Sequence, residues 1–213
     1  MATSQTARVA ERMRADLLSG ALRSGQKIPQ EALASRYGVS RIPLREALTQ
    51  LQAEGLVTHE PNRGYFVAEL SATDMQEVYR LRELLEAEAI RAACHNLSDA
   101  DIDRIADLAQ RVVDASQAGE ITGIAPANRA FHFAVFEASG MPRLNRILAS
   151  LWDATEAYRG LYFQDRDNRR HIATEHAALL AALRDRDAAA AIDAQAAHRN
   201  RSLAQVTAQL TGG

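Results

Sequence analysis

The chain has 213 residues, 47% of them hydrophobic and 24% charged, enough apolar side chain for two domains of ordinary size and too much for general disorder. No run approaches the ~18 apolar residues of a membrane span, the polar start Met1–Arg14 lacks a secretory apolar stretch, and a single cysteine, Cys94, excludes an intramolecular disulfide framework, so the cytoplasm is the expected location. Formal net charge is −2, with nine Lys or Arg against seven acidic groups in residues 1–70 and sixteen against twenty in 71–213; this excludes a uniformly basic nucleic-acid coat, and charge alone does not reveal DNA binding.

Val9, Met13 and Leu17 recur every four residues, with Leu18 and Leu22 beside them, and predict an amphipathic helix closed by Gly20 and Gly25. A short helix is expected over about 31–37. Gly38-Val39-Ser40 then makes a tight turn, in which Gly38 can take a positive φ and Ser40 can cap the next helix. That helix runs over about 41–54, tolerates Pro43 in its first turn and ends at Gly55. Residues 56–59 and 65–68 read as the strands of a hairpin turning through Pro61–Gly64. Leu70–Thr73 is a linker, with Ser71 and Asp74 as a capping pair. Six helices come after it at about 74–94, 98–117, 122–138, 142–164, 168–184 and 187–208, with no strand signal among them. The expected fold is mainly α: an N-terminal winged helix-turn-helix with a small β-hairpin wing in 1–70, and a C-terminal all-α helical bundle in 71–213.

Helix, short helix, turn, helix and hairpin is the order of a DNA-binding head whose second helix fits the major groove. Leu44, Ala47, Leu48 and Leu51 form the stripe that seats this helix, while Arg41 and Arg45 share another face near its start. Each Arg can donate two parallel hydrogen bonds to guanine, worth roughly 1–3 kcal/mol of discrimination. Ser40 can meet a phosphate at the helix N-terminus, and Arg63 beside Gly64 can reach a phosphate or the minor groove from the hairpin tip. The bland alternative is a solvated face on which Arg45 pairs with Glu46 or Glu31.

The stretch Glu31-x-Leu33-Ala34-x-x-Tyr37-Gly38-Val39-Ser40-Arg41-x-Pro43-Leu44-Arg45-Glu46-Ala47-Leu48-x-x-Leu51-x-x-Glu54-Gly55-Leu56-Val57, followed by Arg63-Gly64-Tyr65-x-Val67, resembles the GntR family head. The remainder is similar to the FadR-type effector domain, FCD, matching at Arg82-x-x-Leu85-Glu86 in its first helix. The resemblance spans about residue 7 to about residue 206. It implies a homodimeric repressor or activator that binds a short operator palindrome and changes grip on effector binding. One departure is Glu31, where the fatty-acid-sensing members carry Arg.

In the later half, Asn128 and His132 are four apart on a helical face shared with Phe131, Val135 and Phe136. His176 lies on a stripe with Ile172, Leu179 and Leu183, and His198 has Ala191, Ala194 and Ser202 on its side. Three inward histidines can converge on a divalent transition ion, with the Asn128 oxygen as a weaker fourth ligand. Spacing alone does not bring three helices together, and a hydrogen-bonded core histidine is the alternative for each. The resemblance implies the metal site, because these positions fall where metal-binding FCD members place their ligands. Zn²⁺ is the expected ion, with Ni²⁺ or Mn²⁺ as alternatives. Many members carry Asp where Asn128 stands, and the missing charge weakens the site or relaxes its preference. His95, His171 and His59 fall outside the pattern.

An ion with open positions attracts an anionic oxygen, typically of a carboxylate or hydroxy acid. Arg82 is the candidate charge partner on a helix that also buries Val78, Leu81 and Leu85, with the alternative of a salt bridge to Glu86 or Glu83. Tyr158, Arg159 and Asn200 are further candidates for the effector cavity. The function expected is a ligand-responsive DNA-binding regulator, not an enzyme. A metal-dependent hydrolase and a DNA-binding dimer without effector are the competing readings. No His-Glu-x-x-His helix, phosphate loop or nucleophile elbow supports an enzyme.

Overall fold

A computed structural model describes residues 5–18, 21–69, 72–119, 121–155, 162–163 and 165–211. In chain order these form α1 (Gln5–Leu18), α2 (Gln30–Tyr37), α3 (Arg41–Ala53), β1 (Val57–Glu60), β2 (Gly64–Val67), α4 (Ala72–Asn96), α5 (Asp99–Ala118), α6 (Ile121–Glu137), α7 (Pro142–Ala154), α8 (Arg166–Arg184) and α9 (Ala188–Thr211). The architecture is mainly helical, with one small antiparallel hairpin. Ser71 and Gly20 lie outside the described residues.

The buried apolar side chains fall into two clusters, one drawn from residues 9–67 and one from residues 75–206. In the first, Val9, Met13 and Leu17 of α1 meet Leu44, Leu48 and Leu51 of α3, all 4% exposed or less. The turn between α2 and α3 depends on Gly38, whose φ of 67° is strained for any residue with a Cβ. Ser40 sits at the N-cap of α3 with extended backbone, but its side chain makes no capping bond; the expected cap is absent and the hydroxyl stays exposed. In the wing, Val57 pairs with Val67, Thr58 with Phe66, His59 with Tyr65 and Glu60 with Gly64. The segment before α2 adds a third edge that the sequence does not signal: Ile28 N–H donates to the Tyr65 carbonyl at 2.8 Å, and Val67 N–H to that of Gln26 at 2.9 Å.

In the second cluster, α4 packs on α6, α7 and α9, while α8 packs on α5 and α9. A reciprocal capping box between Ser98 and Asp101 starts α5. The helix expected over 142–164 is shorter, because α7 ends at Ala154 with Thr155 as its cap. Helix α8 is capped by Asp165, whose carboxylate accepts from the Asp167 and Asn168 amides. The inward face of α4 also differs from expectation. Met75, Tyr79, Arg82, Glu86 and Ile90 are buried, whereas Leu81 is 42% exposed and Val78 and Leu85 only partly covered. No helix of the described residues is long and apolar enough to cross a membrane.

Candidate metal and ligand centre, and the DNA-facing head

The bundle brings together side chains that the sequence places on three separate helices. His132 from α6, His176 from α8 and His198 from α9 are all buried, and each offers a ring nitrogen within 4.8 Å of the other two. The Nε2 atoms of His132 and His176 are 3.2 Å apart. Two nitrogens each about 2.0–2.1 Å from one ion stand at such a separation. Phe131 stacks on His176 with ring centroids 4.1 Å apart, and Trp152 lies 5.2 Å from His132. This apolar wall, with His198 adding to it, holds the His176 imidazole well below its ordinary pKa range, so it is neutral, the form that lends a lone pair to a cation.

His198 is oriented from behind. Its Nδ1 meets Glu175 Oε2 at 2.7 Å, and Arg201 Nε donates to Glu175 Oε1 at 2.5 Å. Burial raises the Glu175 pKa, but hydrogen bonds and charge from His198 and Arg201 more than offset it, so the carboxylate is ionised and accepts the Nδ1 proton. That leaves His198 Nε2 for the triad. Asn128, one turn before His132, is 2% exposed, and its Oδ1 has no protein partner among the described residues. A buried carbonyl oxygen in that condition suits a cation, and the donor set as a whole fits a divalent transition ion.

Beside the triad lies a charged core. Glu86 is fully buried and accepts from Arg82 Nε at 2.9 Å, Trp152 Nε1 at 3.0 Å, Gln195 Nε2 at 2.9 Å and Arg199 Nη1 at 3.3 Å. Burial alone raises its pKa; Arg82, Gln195 and Arg199 together overcome that and hold it below the ordinary range. Arg82 therefore makes the salt bridge weighed as its alternative, and still has a buried Nη1 without a protein partner among the described residues. Its guanidinium lies 4.4 Å above the Trp152 ring. Two buried guanidinium groups face one buried carboxylate, with only the part-exposed Glu83, 3.9 Å from Arg199, as further counter-charge, so the buried core itself carries a cationic surplus that an anion offsets.

The remaining expected effector residues fare differently. Asn200 is exposed, so it does not face this core; Arg199, one position earlier and turned by about 100° on the helix, does. Tyr158 and Arg159 lie outside the described residues. Sequence reasoning missed Trp152, Gln195 and Tyr162, the last 1% exposed with its hydroxyl unpartnered among the described residues. Gln195 and Arg199 share a face of α9, a spacing that could have flagged them. His59, His95 and His171 are exposed.

In the head, Leu44, Ala47, Leu48 and Leu51 are fully buried, which turns Arg41 and Arg45 outward. Arg41 pairs with Glu31, whereas Arg45 has no acidic partner among the described residues. Pro43 is buried, so it shapes the start of α3 rather than presenting a side chain. Ile42, unremarked in the sequence, is 71% exposed on the same helix. At the wing tip Arg63 is exposed, pairs with Glu60 and lies over Phe66, and Gly64 has φ 100°. The helix, both arginines and the wing tip thus share the rim of one shallow hollow or its neighbour.

Comparison with known proteins agrees with both halves. Residues 5–67 match the profile described as bacterial regulatory proteins, gntR family, and residues 77–201 match the FCD domain. The HTH-type transcriptional regulator McbR of Escherichia coli is 30% identical over 189 residues, covering 86% of this chain and 84% of its own. The Nta operon transcriptional regulator of Aminobacter aminovorans is 31% identical over 166 residues, covering 77% and 76%. The solved structure of E. coli McbR superposes with a TM-score of 0.85 at 27% identity, covering 98% of this chain and 99% of that one.

Proposed function

The chain belongs to the GntR family of bacterial transcriptional regulators, with an FCD domain behind its DNA-binding head, and we propose that it is a repressor released from its operator by a small organic acid. The observation that carries the effector half is the convergence of His132, His176 and His198 beside a cationic core. In this reading His132, His176 and His198 hold a divalent ion with Asn128, and Zn²⁺ is the ion proposed, ahead of Ni²⁺ and Mn²⁺. Such an ion supplies Lewis acidity toward an anionic oxygen. The chain's own groups do the rest: Arg82 Nη1 receives the carboxylate, the aromatic wall excludes water, and Glu86 keeps both guanidinium groups in place.

The head, taken as residues 1–70, reads DNA through Arg41 and Arg45, with Ser40 and Arg63 on phosphates and Ile42 positioned for a thymine methyl. The bundle, residues 71–213, binds the acid and pairs with a second copy. Among the described residues, three of the four exposed large hydrophobics, Leu81, Leu84 and Ile147, lie on α4 and α7, which pack side by side, and these two helices are the proposed self-association elements. A palindromic operator is what two-fold symmetry requires, with recognition helices ~34 Å apart. The acid weakens DNA binding only as far as it favours the arrangement that spoils this spacing. The cytoplasm is the proposed location.

The test is elemental analysis of the purified protein, with gel shifts on its upstream DNA and a panel of organic acids. The His132→Ala protein should lose bound metal and the response to acid while keeping DNA affinity. Metal-free wild-type protein whose DNA binding ignores every acid would refute the effector half; no preference for upstream over random duplex would refute the whole.

A further inference from the structure

Gln195 is 1% exposed on α9, one turn before Arg199, and its amide has a single orientation open to it. Its Nε2 lies 2.9 Å from Glu86 Oε2. Glu86 is otherwise surrounded by donors: Arg82 and Trp152 on Oε1, Arg199 on Oε2. A carboxylate between two guanidinium groups and an indole N–H only accepts, so the amide must turn its NH2 toward it. The carbonyl oxygen is thereby aimed away from Glu86, buried and without a protein partner among the described residues. Arg82 Nη1 is buried in the same condition. Both side chains are anchored on one carboxylate, and one offers a bare acceptor while the other offers a bare donor.

From this pairing we infer that Gln195 selects the effector: its Oε1 accepts a hydroxyl hydrogen of the acid whose carboxylate Arg82 binds, so the ligand is a hydroxy acid rather than a plain carboxylic acid. The inference rests on the proposal that an organic acid binds here, and it adds which acids are refused. A plain carboxylate satisfies Arg82 but leaves the Gln195 carbonyl facing carbon or another oxygen lone pair. A hydroxyl satisfies it, and buried polar groups left unpaired are what makes such sites reject analogues lacking the hydrogen. An amino acid also carries donors, but its ammonium would stand beside the buried Arg82 and Arg199, whose one buried counter-charge is Glu86, with the part-exposed Glu83 3.9 Å from Arg199, an unfavourable like-charge arrangement. The position fits: the Arg82 guanidinium lies 4.4 Å over the Trp152 ring, and that ring also packs against His132 at 5.2 Å.

Calorimetry of the full chain loaded with Zn²⁺ tests this with lactate, propionate and 2-methoxypropionate, the last keeping the oxygen while losing its hydrogen. The unsubstituted protein should bind lactate about 10-fold or more tighter than either analogue. Gln195→Met removes the hydroxyl acceptor together with the amide bond to Glu86, so it lowers affinity for all three acids alike, but it should bring them within about 3-fold of one another. Propionate binding as tightly as lactate to the unsubstituted protein would overturn the inference while leaving the effector reading intact. So would a lactate preference that persists in Gln195→Met, since the ion or another group would then be reading the hydroxyl. Failure of all three acids to bind would overturn both. The comparison of ligands in the unsubstituted protein stands even if Gln195→Met unfolds, which a melting curve reports.

Discussion

Glu175 accepts the Nδ1 proton of His198 across 2.7 Å, and this contact decides which nitrogen of that ring faces the other two histidines. Glu175 is not in the triad, yet it sets the triad's chemistry, because an imidazole free to turn or switch tautomer is a poorer ligand. Glu175→Gln keeps the shape and weakens the acceptor. The expected outcome is a fall of about 10-fold in Zn²⁺ affinity by competitive chelator titration, with melting temperature little changed in metal-free protein. Unaltered affinity would show that His198 needs no support from behind.

Arg45 stands exposed on α3 with no acidic partner among the described residues, so its whole donor fork is available to DNA. Arg45→Ala should remove the preference for operator over random duplex, a loss of roughly 1–3 kcal/mol per head. Acid binding by calorimetry should be unchanged. Arg41, already paired with Glu31, has to exchange that contact for DNA, so Arg41→Ala is expected to cost less.

Much of this head was legible in the sequence, because each part carries its own local signal. The Leu44–Leu51 stripe fixes the seat of α3, and Gly38 and Gly55 mark its flanking turns. The bundle is harder. A stripe search on α4 picks Val78, Leu81 and Leu85, since it looks for apolar residues; the helix instead buries Arg82 and Glu86 as a pair and leaves Leu81 outside. That pair is stable inside only with Trp152, Gln195 and Arg199, which come from two other helices and send no local signal toward α4. The error at Asn200 is of another kind: a single-position slip, which on a helix carries a side chain from the core to solvent. The inward faces of the histidines could be read individually. Their meeting point could not, because 44 residues separate His132 from His176.

Glu86 gives the fold a pH dependence of known sign. Its pKa is lowered in the folded chain, so its contribution is fully present above the ordinary value of 4.5 and is lost as pH falls through the lower folded value. Wild-type protein should therefore lose stability on acidification below about pH 5 partly through this group. Glu86→Gln should destabilise by about 3–5 kcal/mol at neutral pH, since Arg82 and Arg199 lose their buried counter-charge. Its denaturation midpoint should also depend less on pH in the acid range. A variant as stable as wild type at pH 7 would refute the central place given to this carboxylate.

Leu84, 54% exposed on α4, is the most exposed of the three large apolar residues that α4 and α7 present to solvent. Leu84→Glu should shift the protein to monomer in sedimentation velocity and weaken operator binding, because two heads held together bind a palindrome far more tightly than two separate ones. A persistent dimer would move the self-association surface elsewhere.

The one tryptophan of the chain is Trp152, its indole wedged between the Arg82 guanidinium at 4.4 Å and the His132 ring at 5.2 Å. All of the protein's indole fluorescence therefore originates where ion and acid are proposed to sit. Occupancy of that spot can be followed by emission intensity alone, without a label and without DNA in the cuvette.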